Sequence, residues 1–88
     1  MISQRVVVVN PTGLHARPAS KFVAEAKKYE SSLRIKKSGK EINGKSIIQI
    51  MSAGISAGTE ICLEAEGPDE ERAVKALSEL IHSGFGEV

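Results

Sequence analysis

The spacing of apolar residues changes repeatedly along the chain, and each change marks an element. From Ile2 to Val9 β-branched residues dominate, the composition of a strand. Val6 to Val9 are all apolar, so alternation chooses no face there, but Ile2 against Ser3 and Arg5 tips Ile2, Val6 and Val8 inward. Pro11 and Gly13 punctuate a loop. Apolar residues then recur at Ala16, Ala19, Phe22, Val23 and Ala26, a spacing that paints one helical face. This predicts a helix from about Ala16 to Lys28, with Ser20, Lys21 and Glu25 wet and Lys27 and Lys28 at its negative end. Leu33 and Ile35 alternate with Arg34 and Lys36 as in a half-buried strand. Ser38-Gly39 is a turn signal, and Lys40 to Asn43 returns as a short, charged edge strand with Ile42 as its apolar residue.

Asn43-Gly44 turns the chain again before Ser46-Ile47-Ile48-Gln49. That tetrad is a capping-box pattern, in which the serine accepts from the Gln49 amide while Gln49 reaches back. The helix it opens runs through about Ser52, and Gly54 can close it in the left-handed conformation. Ile47, Ile48, Ile50 and Met51 lie at too many angles for a two-turn helix with one buried side. Part of the group is therefore expected at the surface, as a protein-binding patch. The strand Thr59 to Glu66 places Ile61, Leu63 and Ala65 on one face and Glu60, Cys62, Glu64 and Glu66 on the other. An acidic row favours basic neighbours, which Arg34, Lys36 and Arg5 supply. That puts the fourth strand between the first and second, in the order 1-4-2-3. Gly67-Pro68 breaks the strand, and Asp69, Glu70 and Glu71 open a last helix whose buried stripe is Ala73, Val74, Leu77, Leu80 and Ile81, ended by Gly84.

The sum is β-α-β-β-α-β-α, without internal repeats or linkers. Two long amphipathic helices need a shared apolar floor, so the expectation is an α+β fold, an open-faced β-sandwich with a four-stranded antiparallel sheet and three helices on one face. A chain of 88 residues has room for one domain, residues 1–88, with a thin core and no elaborate active site. Twelve basic against eleven acidic residues give a net charge of +1, which argues against a dedicated nucleic-acid binder. Tyr29 with Phe22 and Phe85 is too sparse an aromatic set for base stacking. A lone cysteine, Cys62, cannot form an internal disulfide and is expected to be a small packing residue. With no signal-like or membrane-spanning run, no membrane insertion and a cytoplasmic location are expected. No metal cluster or cofactor is expected either.

The chemistry concentrates where loop becomes helix. His15 falls just before or at the cap of the first helix, with Pro18 suited to the first turn because its missing N–H would be unpaired there anyway. A helix N-terminus attracts anions. Arg17 adds a cation whose planar fork matches phosphate oxygens. Neutral imidazole is a nucleophile able to form covalent intermediates. A nucleophile with an anion site around it is what a transiently phosphorylated histidine needs. His82, near the end of the last helix, suits the dipole there and is assigned no catalysis.

Gly13-Leu14-His15-Ala16-Arg17-Pro18-Ala19, followed by Lys45-Ser46-Ile47 and Met51-Ser52-Ala53-Gly54-Ile55, resembles the HPr family of the phosphoenolpyruvate-dependent sugar phosphotransferase system. The likeness covers essentially the whole chain and implies the same strand order. It implies that His15 takes a phosphoryl group on Nδ1 from enzyme I, itself charged by phosphoenolpyruvate, and passes it to a sugar-specific enzyme IIA. Arg17 would neutralise the phosphoryl oxygens, and the Ala16 and Arg17 amides would hold them. Both transfers need a docking surface, for which Thr12, Ala16, Ser20 and Ala24, with Ile47, Ile48 and Met51, are candidates, ringed by Lys27 and Lys45. Ser46 is a helix cap as a residue type; the resemblance adds phosphorylation by a dedicated kinase, with weaker enzyme I docking as its effect. An HPr kinase/phosphorylase and a catabolite-control transcription factor are thus further implied partners, and a monomer is expected. Gln49 and Ile48 depart from common family residues and bear on partner choice, not on His15. The rival readings are a purely regulatory binding module and a nitrogen-branch carrier of the same fold. A hydrolase or kinase is disfavoured, since no Gly-rich nucleotide loop or carboxylate pair surrounds His15.

Overall fold

The computed structural model describes residues 1–86. Its elements are β1 (Ile2–Val7), α1 (Ala16–Ala26), β2 (Ser32–Lys37), β3 (Lys40–Asn43), α2 (Ile47–Ser52), β4 (Glu60–Glu66) and α3 (Glu70–His82), followed by a 3₁₀ turn, Gly84–Gly86. The strands form one antiparallel sheet in the order β1-β4-β2-β3, as the charge pattern indicated. Three helices cover one face, with α3 against β1 and β4, and α1 beside both α3 and α2.

The inward set agrees with the period-two reading. Val6, Val8, Leu33, Ile35, Ile42, Ile61, Leu63 and Ala65 are all buried, and Ile2 is half-buried against them. They meet Phe22, Val23 and Ala26 from α1, Ile50 from α2, and Ala73, Val74, Leu77 and Ile81 from α3. Burying each Leu- or Ile-sized side chain stabilises by ~1.5–3 kcal/mol. Leu80 is only partly buried, packed at the margin of the cluster.

On the open face Arg34 lies across from Glu64 in the register. Its guanidinium is 3.2 Å from Glu41, 3.5 Å from Glu64 and 3.7 Å from Glu66, and Lys36 reaches Glu64 at 3.1 Å. Such surface pairs contribute only ~0–1 kcal/mol each. Their weight is in the register, since a one-residue slip would turn these charges into the core. Arg5, expected to join them, faces Cys62 and makes no ion pair among the described residues. Cys62 is half-exposed on this open face rather than part of the core.

Element ends differ from expectation for local reasons. β1 stops at Val7 and β4 begins at Glu60, although Val8 still donates to Thr59 and accepts from Gly58. α1 ends at Ala26 because Lys28 and Tyr29 donate three residues back, to Glu25 and Ala26, tightening the last turn. Lys27 and Lys28 therefore lie past the end of regular helix. Ala16, placed by periodicity on the buried face, is exposed. The capping box is also only half formed. Ser46 accepts from the Gln49 amide at 3.3 Å, but the Gln49 side chain accepts from the Asn43 amide at 2.9 Å, while the Ser46 amide is taken by the Asn43 carbonyl.

Asp69 stands at the N-cap of α3 without capping it. Its carboxylate accepts from the Glu30 amide at 3.0 Å, the Ser31 amide at 2.9 Å and the Ser31 hydroxyl at 2.5 Å. The link between α1 and β2 is thus tied to the start of α3. Gly67 permits the approach, since a Cβ there would lie 2.7 Å from the Ser31 Cα.

Candidate functional site

The segment that presents His15 is held from below before it reaches the helix. Gly13 adopts a left-handed φ of +67° and donates to the Asn10 carbonyl at 3.1 Å. The buried Asn10 side chain returns a bond from Nδ2 to the Gly13 carbonyl at 2.8 Å. Leu14 is buried and donates to the Ile55 carbonyl at 2.9 Å. Only glycine fits at position 13, where a Cβ would stand 2.4 Å from the Ile55 oxygen. On the other side of His15, Pro18 and Ala19 are buried in the first turn of α1. The backbone is pinned on both flanks and the histidine between them is exposed.

His15 is the N-cap of α1, with extended φ −115° and ψ 163°, and its side chain makes no capping bond. The usual serine or aspartate cap would spend its oxygen on the helix amides. An imidazole that does not is available for a ligand. The first bond inside the helix runs from the Ala19 amide to the His15 carbonyl at 3.1 Å. The Ala16 and Arg17 amides precede it at the positive end of the helix, and Pro18 has none to offer. Ala16 has φ +22°, a conformation alanine rarely adopts. Such backbone costs on the order of 1–3 kcal/mol and turns the methyl group outward.

Thr12, His15, Ala16, Arg17 and Pro18 line one shallow depression of about 430 Å³. The imidazole, the guanidinium-bearing Arg17 and the first residues of α1 thus share one depression. The site is broad and open to solvent.

Of the expected docking residues, Thr12 and Ala16 line this depression and the others lie on α1 and α2. Ser20 and Ala24 are exposed along α1. On α2, which packs against α1, Ile48 is 78% exposed and Ile47 and Met51 are partly uncovered, while Ile50 is fully buried. One isoleucine therefore anchors the short helix and the others face solvent. Lys45 has a structural job that the sequence reading did not foresee. Its ammonium donates to the Tyr29 carbonyl at 2.8 Å, in the turn that follows α1, so it is not a free cation beside Ser46. Asn10 and Ile55, which bond the Gly13-Leu14 backbone, were missed as supports of the site. Asn10 alone carried a signal, because an asparagine ahead of a turn commonly bonds backbone a few residues on. Ile55 acts across a long sequence separation. Among the described residues no group of His, Cys, Asp and Glu could hold a metal, and no helix is long and apolar enough to cross a membrane.

A family described as "PTS HPr component phosphorylation site" matches residues 2–83. The chain belongs to the HPr family. HPr proteins are phosphocarriers of the phosphotransferase system, and relatives agree over nearly the whole length. The HPr of Neisseria meningitidis serogroup A is 40% identical over 99% of this chain and 98% of its own. The HPr-like protein Crh of Bacillus subtilis is 44% identical over 92% of this chain and 95% of its own. A crystal structure of HPr from Thermoanaerobacter tengcongensis superposes with a TM-score of 0.97 at 50% identity, covering 100% of this chain and 99% of that one.

Proposed function

We propose that this chain is a single HPr domain that carries a phosphoryl group on His15 between phospho-enzyme I and a sugar-specific enzyme IIA. The observation that carries the reading is the His15 side chain itself, exposed at a helix N-cap without a capping bond and sharing a depression with Arg17 and the first amides of α1. In the charging step the Nδ1 lone pair attacks the phosphorus held by enzyme I. The bond to the donor nitrogen breaks as the new N–P bond forms, and the donor keeps its electron pair. Delivery reverses these roles with the acceptor. Arg17 and the Ala16 and Arg17 amides balance the phosphoryl charge in both directions. The protein is a relay with no turnover of its own.

Thr12, Ser20, Ala24, Ile47, Ile48 and Met51 form the docking surface, with Met51 able to repack against different partners. Ser46 is a second modification site. Its phosphate would stand at the start of α2 beside the exposed isoleucines and disfavour enzyme I by charge and desolvation. The 44% identity to Crh, described as the catabolite repression HPr of Bacillus subtilis, favours a regulatory role beside the His15 relay.

Incubation with phosphoenolpyruvate and enzyme I, followed by phosphorus NMR, tests the proposal. A phosphoramidate signal, acid-labile and base-stable, is expected in the parent protein and absent in His15→Ala. Its persistence in His15→Ala would refute the assignment. Ser46→Asp is expected to slow charging without unfolding the protein, and a parent-like rate would remove the regulatory part.

A further inference from the structure

The β2–β3 hairpin closes through Ser38 and Gly39, both with positive φ, at +50° and +81°. Such a two-residue turn matches strand twist and is stiff. It sets Lys37 opposite Lys40. Two ammonium groups across a turn repel each other, yet Lys37 shares the inward parity of Leu33 and Ile35 and is half-buried. Its Nζ donates to the Ala53 and Gly54 carbonyls, each at 3.1 Å. These are carbonyls left open at the end of α2, where a cation also opposes the helix dipole. The next carbonyl in the chain, that of Ile55, accepts from Leu14, the residue before His15.

We propose that Lys37 is a positioning residue for the phosphoryl site, acting through the 53–55 segment. Its ammonium fixes the Ala53 and Gly54 carbonyls, which holds Ile55 in place to receive the Leu14 amide and seat the Gly13 turn. The same bonds hold the end of α2, and with it the exposed faces of Ile47, Ile48 and Met51. The hairpin thereby keeps the nucleophile and the docking patch in one fixed relation. The inference rests on the carrier reading for its kinetic part only; the mechanical part concerns the loop.

The test compares Lys37→Met, which keeps the aliphatic stem, with Lys40→Met, which removes the same charge across the turn. Loss of a charge-assisted bond at this end is expected to raise the Leu14 amide exchange rate about tenfold in Lys37→Met, with core amides such as Ile35 unchanged. Charging of His15 by phospho-enzyme I is expected to slow about three- to tenfold in that variant. Lys40→Met should match the parent in both, and Lys37→Arg should recover much of each loss. Equal Leu14 exchange in the two methionine variants, or a uniform rise across Leu14 and Ile35, would overturn the proposal. If Lys37→Met does not fold, Lys37→Gln takes its place, with the same two readouts. If even the parent accepts no phosphate, the carrier reading fails, while the exchange comparison still decides whether Lys37 holds the loop.

Discussion

Replacing Gly13 with alanine tests the support beneath His15 most directly. Two costs add at this position. An L-residue at φ +67° is strained by roughly 1–2 kcal/mol. The new Cβ would also lie 2.4 Å from the Ile55 oxygen and 2.8 Å from the Ser56 Cα, both backbone atoms that cannot swing aside. Overpacking of that kind costs about 1–3 kcal/mol. The smaller entropy of the unfolded alanine chain offsets about 0.4–1 kcal/mol. The net expectation is a destabilisation of roughly 1–4.5 kcal/mol, centred near 3, read as a lower urea midpoint with an unchanged slope. Gly39→Ala is the control, because φ there is +81° but nothing stands within 4 Å of the new Cβ. It carries the backbone cost alone, about 0–1.5 kcal/mol after the same offset. The difference between the two variants isolates the close approach of the Gly13 turn to Ile55. Equal loss in the two would refute the claim that the Ile55 carbonyl seats this turn.

Two further outcomes are expected from other parts of the molecule. Ile50→Ala removes the buried anchor of α2 and should cost about 2–5 kcal/mol in chemical denaturation, whereas Ile48→Ala, at a site 78% exposed, should leave stability within about 0.5 kcal/mol while weakening enzyme I binding by calorimetry. The Ser31 hydroxyl, with the Glu30 and Ser31 amides, holds the Asp69 carboxyl down to about 2 from its ordinary 3.8. A lowered folded-state pKa means stability that is present above the ordinary value and lost as pH falls toward 2. The melting temperature should therefore drop between pH 4 and pH 2, with a shallower drop in Asp69→Asn. Glu70 is lowered too, by the Gly67 amide and then the N-terminal ammonium, so some slope should survive in that variant; an identical slope would exclude the Asp69 clamp as its source.

Much of the architecture was legible in one dimension. Alternation in β2 and β4 and the three-to-four spacing in α1 and α3 report which side chains face the core, because period follows directly from backbone geometry. Even the strand order could be read, since the acidic face of β4 needed the cations that Arg34 and Lys36 supply. His15 could be placed at a helix mouth from Pro11, Gly13, Pro18 and the apolar spacing that follows, since backbone preference and helical period are both local. What local preference could not reveal is where long polar side chains end. Lys45 bonds the turn after α1, Lys37 the carbonyls just past α2, and Asp69 leaves its own helix for Ser31. Flexible side chains and open carbonyls find each other only after the strands have set the helices side by side. For the same reason Gly13 announced a turn in the sequence, but its need to be glycine comes from Ile55, 42 positions away in the chain, whose carbonyl oxygen would stand 2.4 Å from any Cβ placed there.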